Sequence, residues 1–564
     1  MPHRPRKLTA CFVVLTAALA GCASATSTNG PSPRPARVAE DPSRPSLAAA
    51  IRLGRDLGPI AADQTLTVSL GLQGRDQAAL AALVARGGRV TPAQYAQRFG
   101  PAPTAVAAVV ATLSAAGLHE QWQAGQPVLS VSGPAGAIER TFSVAVHNHI
   151  GPDGTRFHAP THAPTVPASL APEVTSVAGL QDYPTHRTQD LTNPSGFRPT
   201  DAADFYDVAP LQKAGLNGTG QTIYLVEIDE FGAPALQAYA SKFNLPPFDV
   251  TVKRDPTSWG DPGAEGNSSS ETDLDLEIIH GIAPMAKLVV YYASGKGDNV
   301  DKALRALVQD HPASIVTISL GQCEASVDPA VPPQDDAATT AAAASGTTIF
   351  VSSGDRGAYE CIPNGDNNTV SPNYISALPS VTSVGGTTVY MSATGGYGRE
   401  SAWGEPAEQW GSGGGNSKFF KLPAWQTGPG VKNQFSDGSR QQPDVAANAD
   451  SLSGWDIFGS QPGAEGTVGG TSAAAPFWAA LTALVDQNLA QLKLPSVGFA
   501  NPPLYAFAQN PSGLPANPFH DIVTGTNLLN PATPGWDYAT GLGSPDAGAL
   551  ADDFEWYEKN VAPH

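Results

Sequence analysis

Gly469-Gly470-Thr471-Ser472-Ala473-Ala474-Ala475-Pro476 is the stretch on which the reading of the chain turns. It follows a glycine-rich approach, Gly463-Ala464-Glu465-Gly466-Thr467-Val468, and opens an apolar run over 477–492. Small residues gathered around one hydroxyl let backbone come close to a bound molecule. The apolar run predicts a buried helix with Ser472 in its first turn, where unpaired N–H groups favour developing negative charge. A serine presented this way suits acyl transfer. An N-cap on a buried helix has the same look, so carboxylates elsewhere must decide.

Upstream of that helix, strand and helix alternate. Apolar runs over 222–228, 287–293, 314–320 and 347–353 predict strands, and 271–282, 300–309 and 337–344 predict helices. This alternation is the mark of a parallel sheet covered on both faces, hence α/β. Ligands of such sheets bind beyond the carboxyl ends of the strands, where segments after Val226, around Glu271 and at Gly354-Asp355 can converge on Ser472. Before it, 48–185 reads as a separate α+β unit. Strands are predicted over 66–72, 128–133 and 142–148, and helices over 78–85, 92–100 and 104–116. That unit shows no catalytic constellation. Residues 184–199 are polar and irregular, a cleavable connection to the domain over 186–564.

A net charge of −19 with no basic stripe argues against nucleic acid. Low charged content (15%) with 58 Gly and 51 Pro suits a loop-rich exported chain. His3-Arg4-Pro5-Arg6-Lys7 before an apolar run over 11–20 reads as a secretory leader over 1–25, too short for a membrane span. Leu19-Ala20-Gly21-Cys22 resembles the bacterial lipoprotein box, which would anchor the chain by lipid at Cys22; Ala23-Ser24-Ala25 offers ordinary cleavage instead. Residues 26–47 are a Ser/Pro/Ala-rich linker. Beyond the leader only Cys323 and Cys361 remain, and two cysteines in an exported chain suggest one disulfide.

Between 268 and 283 the chain reads Ser-Ser-Ser-Glu-Thr-Asp-Leu-Asp-Leu-Glu-Ile-Ile-His-Gly-Ile-Ala. Glu271 and Asp275 share a helix face, and so do Asp273 and Glu277; spacing alone does not choose between the pairs. Two carboxyls held together raise one pKa, which makes a general base for acid conditions. In Ser352-Ser353-Gly354-Asp355-Arg356-Gly357, an Asp ends a buried strand in a Gly-flanked turn. Protonated, it can donate to an oxyanion; the plainer role is a turn former. A Ser-His-Asp triad would have to draw on His280 and Asp229, and His280 sits in the setting of a packed helix end.

These segments, taken in order, resemble the sedolisin family of serine-carboxyl peptidases. The resemblance rests on Glu271-x-x-x-Asp275-x-Glu277 with Ala283-Pro284, on Ser352-Ser353-Gly354-Asp355-x-Gly357, and on Pro443-Asp444-Val445-Ala446-Ala447-Asn448-Ala449-Asp450. Gly470-Thr471-Ser472-Ala473-Ala474-Ala475-Pro476 and Gly413-Gly414-Gly415 with Phe419, Pro423 and Trp425-Gln426 complete it. It implies a subtilisin-like catalytic domain behind an α+β, ferredoxin-like prosegment that inhibits and chaperones its own peptidase. It implies Ser472 as nucleophile, Glu271 as general base and acid, Asp275 as its proton-sharing partner and Asp355 as oxyanion donor. Glu227 matches a further carboxylate behind the pair. Where some members carry Trp-Gly on the substrate-binding strand, this chain has Leu320-Gly321.

The resemblance also implies one calcium ion, with the side chains of Asp521 and Asp537 and the carbonyls of Ile522, Thr533 and Gly535 as ligands. Composition alone would make that segment a Pro/Gly/Asp loop. The expectation is a secreted, acid-acting endopeptidase, monomeric, made as a self-processing zymogen that cuts polypeptides. The alternatives are a neutral Ser-His-Asp protease and an inactive surface binding protein on the same fold.

Overall fold

The computed structural model describes residues 46–152, 154–188, 191–193, 196–262, 271–366, 368–459 and 465–562. The leader, the box at 19–22 with Cys22, the linker up to 45, Ser268-Ser269-Ser270 and Gly463-Ala464 lie outside them. Among the described residues no helix is long and apolar enough to cross a membrane.

The peptidase domain is organised around β1 (Thr222–Glu227), β2 (Val250–Arg254), β3 (Lys287–Tyr292), β4 (Ile315–Ile318), β5 (Thr348–Ser352), β6 (Thr382–Met391), β7 (Tyr397–Ala402) and β8 (Val445–Asn448). They form one eight-stranded sheet in the order β2-β3-β1-β4-β5-β6-β7, with β8 also paired to β6. Every pairing is parallel except β6 with β7. The inner strands β4 and β5 are buried along their whole length, as unbroken apolar runs in a covered parallel sheet must be.

Strand alternation divides the core in two. Ile223 and Leu225 of β1 join a core with α1 (Glu271–Ile282) and α4 (Thr471–Gln491). Val226 faces the opposite core with α2 (Asn299–Asp310), where Ile349 and Val351 also lie. By the same alternation Glu227 returns to the α1 side. Helix α4 is apolar all round and buried from Thr471 to Gln487, as a helix running through a domain centre should be.

The prosegment is a βαββαβ unit, ferredoxin-like in order. Strands Thr65–Leu72, His119–Gln121, Val128–Pro134 and Val174–Ala178 pair antiparallel, with 65–72 and 128–134 in the middle. Helices Gln77–Ala85, Pro92–Arg98 and Pro103–Ala115 fill the first crossover. The strand expected over 142–148 is corrected: helix Ala135–Phe142 ends there, Ser143 turns left-handed at φ 48°, and the strand begins only at Val146. Ile138 and Phe142, one helical turn apart and fully buried, anchor that helix in the prosegment core.

The prosegment sheet seats on α3 (Pro332–Ala344) of the peptidase. Gln334 Nε2 donates to Ser69 O (3.3 Å) and Ser176 Oγ (3.1 Å), and Val90 N donates to Ala344 O (2.7 Å). The chain then crosses the carboxyl end of the sheet. Arg187–Thr188 pairs antiparallel with Leu320–Gly321, and Leu191–Asn193 with Glu465–Gly469, just ahead of Ser472.

Candidate active site

Ser472 is the second residue of α4. Gly470 before the helix has φ 111°, a conformation open to glycine and strained for any side chain. That turn delivers Ser472, fully buried, to the carboxyl edge of β4 and β5. Its Oγ donates to Ser319 O at 3.4 Å. Ser319 is the residue immediately after β4. Its own hydroxyl lies 2.8 Å from Asp275 Oδ2 and 3.2 Å from Ser472 O.

Helix α1 packs along α4 and brings its acidic face inward. The loop after β1 caps it: Asp229 accepts from Glu271 N (3.3 Å), Thr272 N (3.2 Å) and Thr272 Oγ1 (2.6 Å). The two carboxyl pairs left open by spacing now part. Asp273 accepts from Gly232 N (2.8 Å) and Glu277 from Phe458 N (2.6 Å), so both dock neighbouring loops. Glu271 and Asp275 occupy the other face, each with no exposed surface.

Asp275 meets Glu227 carboxyl to carboxyl. Burial pushes both well above the usual carboxylate range, and for Glu227 the nearby Asp275 and Asp229 add to it. Two buried carboxyls near one another attract only while one of them holds a proton. The Ser319 hydroxyl opposes the rise at Asp275 by favouring its ionised form.

Asp355 stands just beyond β5, after Gly354 at φ 107°. Its Oδ1 accepts from Thr471 N and Thr471 Oγ1, both at 2.8 Å, which ties it to the first residue of α4. Its Oδ2 is buried without a partner among the described residues. Burial pushes this acid up to about 8. In acid it carries a proton, and Oδ2–H is a donor in search of an acceptor.

His280 is turned away from this centre. Its ring stacks on Phe248 at 3.8 Å and Nε2 lies 2.7 Å from Pro246 O, and burial lowers its basicity. Asp229, the other member a Ser-His-Asp triad would need, is occupied as the α1 cap. Sequence reasoning missed Ser319 and the tie between Thr471 and Asp355. The only signals were a hydroxyl at the end of a buried strand and another beside Ser472.

Cys323 and Cys361 are bonded to one another beside the strand Leu320–Gly321. At the far end, Gly535 N donates to Asp521 Oδ2 (3.0 Å) and Thr533 N to Asp537 Oδ2 (2.8 Å), which draws the two acidic loops together. Among the described residues, the carbonyls of Ile522, Thr533 and Gly535 accept no backbone or side-chain hydrogen bond. Carboxylate and carbonyl oxygens are the donors a hard cation takes, and here Asp537 Oδ1 already accepts from Ala539 N and Thr540 N.

A twisted parallel sheet, with a serine at the head of a central helix and carboxyl groups at the carboxyl edge, defines a hydrolase of the subtilase type. Residues 263–497 match the subtilase family, and residues 54–183 match the Pro-kumamolisin activation domain. Kumamolisin of Bacillus sp. (strain MN-32) is 32% identical over 531 residues, covering 87% of this chain and 92% of its own. Sedolisin of Pseudomonas sp. (strain 101) is 29% identical over 534 residues, 87% of each chain. The solved structure of Pseudomonas sedolisin, a serine-carboxyl proteinase complexed with two molecules of pseudo-iodotyrostatin, is 28% identical with a TM-score of 0.56. It covers 65% of this chain and 99% of that one. The chain belongs to the sedolisin family of serine-carboxyl peptidases and is made as a zymogen with an activation domain.

Proposed function

We propose an exported, acid-acting endopeptidase in which Ser472 is the nucleophile and carboxyl groups handle every proton. The observation that carries the reading is the pair of buried acids flanking Ser472, Asp275 and Asp355, with His280 stacked elsewhere. Ser472 Oγ attacks the peptide carbonyl while Glu271 takes its proton and delivers it to the leaving amine. Asp275 and Glu227, sharing one proton, set the proton affinity of Glu271. Asp355 Oδ2–H and the Ser472 N–H, which has no acceptor within its helix, stabilise the oxyanion. Water then repeats the cycle on the acyl-enzyme.

Substrate adds as an antiparallel strand on Leu320–Gly321, the mode already used by Arg187–Thr188 of the same chain. Leu191–Asn193 pairs with Thr467–Gly469 just ahead of Ser472, and on that ground the maturation cut is proposed between Thr188 and Leu191. The prosegment is thus both inhibitor and first substrate. A calcium ion held by Asp521, Asp537 and the carbonyls of Ile522, Thr533 and Gly535 would brace the C-terminal loops. Export rests on the leader, with Cys22 as the point of lipid attachment.

The test is the full precursor held at pH 3 to 5 and followed by mass spectrometry. Wild type should give a new N-terminus between residues 189 and 191, and Ser472→Ala should stay intact. Cleavage of the Ser472→Ala precursor at the same bond removes Ser472 from the mechanism.

A further inference from the structure

Helix α4 contains Pro476, four residues after the nucleophile. In an α-helix the N–H of residue i+4 bonds the carbonyl of residue i, and proline has no N–H. The Ser472 carbonyl therefore lacks its helical donor. The hydroxyl that reaches it is Ser319 Oγ, at 3.2 Å, and the same hydroxyl is 2.8 Å from Asp275 Oδ2. A serine hydroxyl has one proton to give. Two acceptors, a carboxyl of the proton-sharing pair and the carbonyl of the nucleophile itself, compete for it.

We propose that Ser319 is a positioning residue that couples the protonation of Asp275 to the backbone of the nucleophile Ser472. This rests on the serine-carboxyl mechanism above. When Asp275 is ionised, Ser319 donates to it and the Ser472 carbonyl is without a donor. When Asp275 holds the proton, it donates to Ser319 Oγ, which then turns its own hydrogen to the Ser472 carbonyl and completes the turn that proline left open. No proton is gained or lost at Ser319; its hydroxyl reorients. The Ser319 carbonyl adds a second hold, since it accepts from Ser472 Oγ at 3.4 Å. Ser319 is wholly buried, so water does not substitute for the hydroxyl. The titratable groups facing Asp275 are Glu227 at the end of β1, Asp229 in the loop after it and Glu271 one turn earlier on α1.

The experiment uses self-processing of the full precursor, which needs no known substrate. Processing rates of wild type, Ser472→Ala, Ser319→Ala and Ser319→Thr are measured from pH 2.5 to 7, with the melting temperature of each. A hydrogen bond to one form of a titrating acid moves its pKa by about 0.5–1 unit. Ser319→Ala, having lost the donor that favours ionised Asp275, should shift the whole pH–rate profile upward by about that much and slow processing about tenfold. Ser319→Thr, which keeps the hydroxyl, should return the profile to the wild-type position. A Ser319→Ala profile that superimposes on wild type or moves to lower pH overturns the coupling, and so does a Thr variant that follows Ala while melting like wild type. If the Thr variant melts lower, infrared spectra of Ser472→Ala precursors with and without Ser319→Ala decide. A protonated-carboxyl band should shift, and the shift should vanish when Asp275→Asn is added; no shift overturns the proposal. Failure of wild type itself to process counts against the peptidase reading and is distinct from all of these.

Discussion

Three buried acids near the central sheet have opposite fates. Asp444, at the start of β8, accepts from Arg440 Nη1 (2.9 Å) and Nη2 (2.5 Å), Ser383 N (2.8 Å), Tyr505 OH (2.8 Å) and Asn501 Nδ2 (3.3 Å). A guanidinium and three neutral donors hold this carboxyl in place, and its task is architectural. Asp355 is equally buried but has only Thr471 on one oxygen and nothing on the other. Asp275 has a hydroxyl and a second carboxyl. Among the described residues no cation forms an ion pair with either. Burial is common to all three; the presence of a cation decides whether a carboxyl becomes a strut or a proton carrier.

The contrast can be broken most severely at Asp355. Asp355→Ala removes the proposed oxyanion donor and should slow processing about 10²–10³-fold. Asp355→Asn keeps both a donor and the acceptor for Thr471, so it should stay within about tenfold of wild type in acid and hold its rate to higher pH. Burial raises this acid from 3.8 to about 8, so the fold favours its neutral form. Its stabilising share is complete below about pH 4 and lost as the pH rises through about 8, and Asp355→Asn should flatten that decline in melting temperature.

A subtler contrast separates stability from activity. Asp444→Ala strands the Arg440 charge in the core and should cost about 3–5 kcal/mol of stability, read from denaturant melts. Asp275→Asn, which relieves a crowded carboxyl pair, should melt no lower than wild type and yet process about 10²-fold more slowly. Smallest is calcium: chelation should lower the melting temperature by a few degrees and leave the pH profile of processing in place. An unchanged transition would remove the ion from the account.

Much of this was legible in the sequence because the chemistry is local there. Helix α1 declares its acidic faces by spacing, and Gly470-Thr471-Ser472 declares its turn by composition. What spacing did not decide was which pair the neighbouring loops take up. That depended on Gly232 and Phe458, backbone donors from distant loops that claim Asp273 and Glu277. Ser319 was invisible for a similar reason: one hydroxyl at a strand end gains meaning only when α1 and α4 converge on it. The helix at 135–142 was hidden by Phe142 at its end and the β-branched Val144 and Val146 that follow, and by a turn at Ser143 that no glycine announced.

Proton handling by carboxyl groups rather than imidazole is tested most directly by a pair of precursors, Glu271→Gln and His280→Gln, acidified side by side and weighed by mass spectrometry. The account predicts that Glu271→Gln remains uncut while His280→Gln matures between residues 188 and 191 like wild type. Maturation of Glu271→Gln at the wild-type rate, or a His280→Gln precursor that folds and stays whole, would contradict it.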